Sequence, residues 1–177
     1  MTSKKEMYDD IYQVIKGNSG AISANDATFT EIFDLQIPRG YAARIRKVIF
    51  HGDWQDDQTD QTEIDLYGAL VLDPDDETSY QIPTFEIDHD VLTDVHFCWR
   101  RLEEDTTPNG IAMIHCNEVT RDFTEELDVI TVRNIRFNTQ GHGLKVDGTT
   151  KAQLRCTVYF TYEKVSAALY EKLLGIK

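Results

Sequence analysis

No apolar run among these 177 residues approaches the roughly 20 that a membrane-spanning helix needs, so no such helix is expected. The opening MTSKKEMYDD has charge but no apolar stretch behind it, and a secretory signal peptide is not expected either. Cysteine is scarce: Cys98, Cys116 and Cys156 are an odd number, far apart and without CxxC spacing. That excludes a disulfide framework and a cysteine zinc site, and predicts small buried thiols in a reducing setting. Basic residues are outnumbered, 18 against 31 acidic, for a net charge of −13. A protein built to grip nucleic acid needs clustered Lys and Arg, so direct nucleic-acid binding is not expected.

Catalytic signatures are missing too. There is no GxSxG, no GxxxxGK, and no GxGxxG after a strand. The histidines, His51, His89, His96, His115 and His142, never form an HxH pair. A cupin-type metal enzyme would show one, and satisfied or surface histidines are the reading favoured. Catalytic, cofactor-binding and metal-ligating residues are therefore all expected to be absent. Two acidic stretches offer oxygen donors: Asp53, Asp56, Asp57 and Asp60, then Asp73, Asp75, Asp76 and Glu77. Neither has the ligand order of a calcium loop, and aspartate is itself a turn former.

What the chain does have is alternation. Hydrophobic residues make up 41% and charged ones 28%, a globular balance. The length suits one domain that buries about 70% of its unfolded surface. Residues 28–37, 42–50, 62–72, 80–87, 91–102, 111–119, 129–137 and 152–162 each read as a strand, with turn residues between them. Residues 38–40, Pro-Arg-Gly, fit a turn; residues 52–60 read as a polar loop, and residues 121–128 as holding a helical turn. Eight strands without intervening helices exclude a doubly wound fold and favour an eight-stranded antiparallel jelly-roll sandwich, with an up-and-down barrel as the alternative. Around this body, residues 1–24 are expected to form an N-terminal arm with an amphipathic helix at residues 7–16, residues 25–163 the sandwich, and residues 164–177 a C-terminal helix.

Candidate contact residues lie outside the strand pattern. Trp54, in the expected polar loop, is either a lid on the core or an exposed contact. At the C-terminus Ser166 suits an N-cap, and Leu169, Tyr170, Leu173 and Leu174 form an apolar stripe. So short a helix is not stable alone, so the stripe must dock, on its own barrel or on a neighbouring copy.

The phrases TFTEIFDLQIPRGYAARIRKVIF and LRCTVYFTYEKVS, the second passing into a short terminal helix, carry a resemblance. From about residue 28 to 174 the chain resembles the single jelly-roll capsid proteins of tailless icosahedral viruses of archaea and bacteria. The resemblance implies a shell-building coat subunit found in the virion and assembled in the host cytoplasm, with no cofactor and no small-molecule substrate. Its partners would be copies of itself and a second coat protein. Only Lys4 and Lys5 stand in the N-terminal arm, which suits contact with an internal membrane or other proteins rather than with the genome. Two other classes stay open: a binding module, either a carbohydrate-binding sandwich or an acidic chaperone of basic proteins, and the cupin-type enzyme.

Overall fold

Ala152, Leu154, Cys156 and Val158 are almost wholly buried, while Lys151 just before them and Arg155 among them are exposed. This two-residue period puts one face of the strand against a core and the other in water. It recurs through the computed structural model, which describes residues 11–22, 28–56, 63–72, 91–103, 111–114, 117–123, 129–142 and 150–174. The strands are β1 (Gln13–Asn18), β2 (Thr28–Phe33), β3 (Tyr41–Asp56), β4 (Glu63–Leu72) and β5 (Val91–Glu103). They continue as β6 (Ile111–Ile114), β7 (Glu118–Asp122), β8 (Val129–Thr131), β9 (Ile135–His142) and β10 (Thr150–Lys164), followed by helix α1 (Ala167–Leu173).

The protein is an all-β sandwich of two antiparallel sheets. Sheet A has the order β1-β10-β3-β7, with β8 also paired to β3. Sheet B has the order β2-β9-β4-β5-β6. The pairing is nested in sequence: β1 pairs β10, β2 pairs β9, β3 pairs β7 and β8, and β4 pairs β5, every pair antiparallel. Between the sheets lie Phe33, Ile45, Val48, Phe50, Leu66, Leu70, Phe97, Ile135, Phe137 and Leu154, each at most 2% exposed. Burial of side chains this size contributes roughly 1.5–3 kcal/mol apiece, which makes this layer the main source of stability.

Several expectations are corrected. Where a helix is expected at residues 7–16, a strand begins at Gln13: Gln13–Asn18 pairs residue by residue with Arg155–Phe160 of β10. Val14 and Ile15 fit either period locally, and a whole ladder of backbone hydrogen bonds on the β10 edge outweighs a weak helical preference. Residues 1–10 lie outside the described residues, as does the strand expected at residues 80–87. The single strand expected over residues 111–119 is two, β6 in sheet B and β7 in sheet A. Likewise residues 129–137 divide into β8 in sheet A and the start of β9 in sheet B. Of the helical turn expected over residues 121–128, Arg121 and Asp122 belong to strand β7, and residues 124–128 lie outside the described residues.

Turn chemistry explains where β2 stops. Asp34 Oδ1 accepts from the Gln36 amide, Asn134 Oδ1 accepts from the Leu35 amide, and Gln36 takes φ +49°. The turn into β3 falls one residue later than its Pro suggests: the Tyr41 amide donates to Pro38 O at 3.0 Å, with Gly40 at φ +80°. That is the left-handed third position of a type II turn, which glycine occupies without strain.

Candidate functional site: outer sheet faces and the terminal helix

Apart from a few buried polar side chains, Asn138 and Thr139 of β9 among them, the polar groups that could do work sit on the two outer faces. On sheet A the pairing register sets His51 of β3 beside Arg155 of β10 on one side and Glu118 of β7 on the other. His51 Nε2 lies 3.0 Å from Asp53 Oδ1, and its Nδ1 lies 3.9 Å from Glu118. Arg155 donates to the other oxygen of Asp53. Further along, Lys47 meets Asp122 at 3.2 Å and Arg44 meets Glu163 at 2.6 Å. These are cross-strand pairs of opposite sign on a solvated face, each worth at most about 1 kcal/mol.

Sheet B carries the second cluster. His96 Nε2 is 2.6 Å from Asp65 Oδ1, and its ring stacks on Tyr67 with centroids 4.3 Å apart and planes 7° from parallel. Cys98 and His142 flank Asp65 on the neighbouring strands. His51, His96 and His142 thus all stand on outward-facing positions. His89 and the His115 side chain lie outside the described residues. Among the described residues, no three His, Cys, Asp or Glu side chains are placed to hold a metal ion. Asp53 faces out from β3 rather than lying in a loop, while Asp57, Asp60 and the whole acidic stretch from Asp73 to Glu77 fall outside the described residues.

Cys156 is buried, as the sequence predicts for it, and burial, reinforced by the Glu31 carboxylate, pushes its thiol well above the ordinary range. A thiol held neutral in this way is a packing group and not a nucleophile. Cys98 is half-buried on the outer face of sheet B, and Cys116 lies outside the described residues.

The candidate contact residues fall at opposite ends of β10. Trp54 is not in a loop: β3 continues through Asp56, and Trp54 stands opposite Ala152, half-buried against the core. α1 follows the other end of β10. Ser166 caps it, its hydroxyl accepting from the Leu169 amide, and Arg133 donates to the Leu174 carbonyl at 2.9 Å. With the Val165 amide donating to the Gly40 carbonyl at 3.1 Å just before it, the helix is tied to its own domain at both ends, yet none of its residues is buried. Leu169 is 40% exposed, and Tyr170, Leu173 and Leu174 are half-buried. The apolar stripe is thus covered only in part by its own domain, which leaves it a candidate contact surface.

A second apolar surface lies where the sequence suggests an amphipathic helix, but a strand carries it. Tyr12 is 60% and Val14 48% exposed on β1 and its approach, beside exposed Ile11. Once residues 13–18 are a strand the signal is visible: Val14 shares parity with Lys16 and Asn18, away from inward Ile15 and Gly17.

No protein-family model matches the chain, and the curated proteins contain no match to it. No helix among the described residues is long and apolar enough to cross a membrane.

Proposed function

We propose that this protein is a self-assembling structural subunit of the jelly-roll kind, a coat or capsid protein that builds a shell with copies of itself and sister subunits. The observation that carries the reading is the nested pairing of β1 with β10, β2 with β9, β3 with β7 and β8, and β4 with β5. A long antiparallel hairpin rolled onto itself has this order, alternate pairs going to alternate sheets. If β7 and β8 are two pieces of one position and β6 is an extension beside β5, eight positions remain, as in a jelly roll.

The surface supports the same reading. The interior is filled by Phe, Leu, Ile and Val, whereas a cupin-type site needs histidines aimed inward, and His51, His96 and His142 stand on outward positions. The partly covered stripe of α1 and the exposed apolar residues of β1 give the chain two places to meet a neighbour. Localisation in a virion, contact with an internal membrane and a second coat protein as partner belong to the same proposal.

Purified protein tests it directly. Light scattering and negative-stain electron microscopy should show oligomers or closed shells whose mass grows with concentration. A monomer at every accessible concentration overturns the reading.

A further inference from the structure

Sheet A is four strands across, β1-β10-β3-β7, and each neighbouring pair is antiparallel. Its two outside strands therefore run in opposite directions. A second copy displaced sideways in the plane of the sheet brings its β1 alongside β7 of the first, and the two strands meet antiparallel. Sheet B behaves differently. Its path β2-β9-β4-β5-β6 has five strands, so β2 and β6 run the same way and the same displacement gives a parallel pair. Parallel pairing is the less stable of the two, so sheet A is the sheet able to continue from copy to copy.

Both outside strands leave one backbone edge unpaired among the described residues. On β1 the inward residues are Gln13, Ile15 and Gly17, so the strand has neither proline nor an inward charge to blunt its edge. Its outward residues are Val14, Lys16 and Asn18, and Lys16 has no ion pair among the described residues. Those of β7 are Glu118, Thr120 and Asp122, with the two carboxylate side chains 57% and 66% exposed. The register across the sheet puts Lys16 level with Thr157, Ile49 and Thr120. In a neighbour at the same level, Lys16 stands beside Thr120, with Glu118 and Asp122 at the diagonals about 7–8 Å away, within reach of a lysine. Two β7 edges brought together would set acid against acid. One β1 edge on one β7 edge sets base between acids.

We propose that β1 of one copy pairs antiparallel with β7 of the next, so that sheet A continues head to tail through the assembly with Lys16 held between Glu118 and Asp122. This rests on the self-assembly reading above and adds which surfaces meet. The contact uses different patches on the two partners, so it closes into a ring where the rotation allows and otherwise extends.

The test compares the wild type with Lys16→Glu, with Glu118→Lys and with the two combined. Mass is followed by light scattering against concentration, and a thermal melt checks the fold. Each single variant should need about tenfold more protein to assemble, and the combined variant should return toward wild type. Amide hydrogen exchange on the wild type gives a readout independent of any variant: β1 and β7 amides should slow at least about tenfold on assembly. A wild type that assembles while the charge variants assemble equally well, or while those amides stay unchanged, overturns this contact and leaves the assembly reading standing. A wild type that never assembles overturns both.

Discussion

Gly68 of β4 lies directly against the Leu154 side chain of β10, across the sandwich, with no room for a Cβ between them. Val95 Cγ1 closes the space from the β5 side, 3.2 Å from where that Cβ would stand. Glycine here sets how closely the two sheets approach in the middle of the core, since Leu154 is fully buried and has nowhere to turn.

Gly68→Ala should therefore destabilise the fold by about 1–3 kcal/mol, although alanine ordinarily suits a strand better than glycine. Urea unfolding at constant slope measures it. A neutral or stabilising substitution would mean that the sheets can part at no cost.

Phe137 is the hub of the aromatic contacts in sheet B. Its ring lies 5.8 Å from Phe33 and 6.2 Å edge-on from Phe29, and it is wholly buried. Phe137→Ala should cost about 3–5 kcal/mol by leaving a cavity between the sheets, while Phe137→Leu should recover more than half of that. Equilibrium denaturation of both variants decides it, and a loss below 1 kcal/mol for the alanine would contradict this core.

The inward parity of residues 152–158, the run of residues 63–72 and the Ser166 cap were legible in the sequence, because each is a local pattern that the tertiary fold obeys. The places where the chain changes sheet were not. Neither connection, residues 115–117 (His-Cys-Asn) nor residues 132–134 (Val-Arg-Asn), holds a Gly or Pro to mark the break, so pattern reading runs each pair of strands together. The β1 edge was misread for the opposite reason: six residues carry too little signal to oppose the β10 ladder that captures them. Of the candidate contact surfaces, the α1 stripe was visible from its spacing, whereas the placement of Lys16 level with Thr120 depends on register across three strand pairs.

Tyr162 ties the end of β10 to the segment after β2, its hydroxyl donating to the Leu35 carbonyl at 2.8 Å. Burial, reinforced by the Asp34 carboxylate, raises its pKa above the ordinary value of 10.0. With the folded pKa above the unfolded one, the tyrosine's contribution is complete below about pH 10 and is lost as pH climbs through the folded value. Tyr162→Phe should cost about 0.5–1.5 kcal/mol at neutral pH and should flatten part of the fall in stability above pH 10. Thermal melts of the two proteins between neutral and strongly alkaline pH make the comparison; parallel curves would remove Tyr162 from the alkaline transition.

Leu169 separates the two roles open to α1. If the helix serves only its own domain, its stripe is a lid, and a charge at its most exposed apolar position should lower the melting temperature without touching assembly. If the stripe also meets a neighbour, the order reverses. Leu169 is 40% exposed, so Leu169→Asp removes only part of a leucine's burial within the domain and should cost about 1 kcal/mol of stability. In a contact between copies the same aspartate would be desolvated without a partner, at a cost of several kcal/mol, enough to abolish association. Ser166→Ala is the useful companion, because it removes the hydroxyl that accepts from the Leu169 amide and so loosens the helix by about 1 kcal/mol while leaving the stripe intact. Measured together by melting and by light scattering, Leu169→Asp should dissociate the assembly while lowering the melting temperature by only a few degrees, about as much as Ser166→Ala, which should weaken assembly only slightly. A Leu169→Asp protein that melts lower but assembles as before would make α1 a lid.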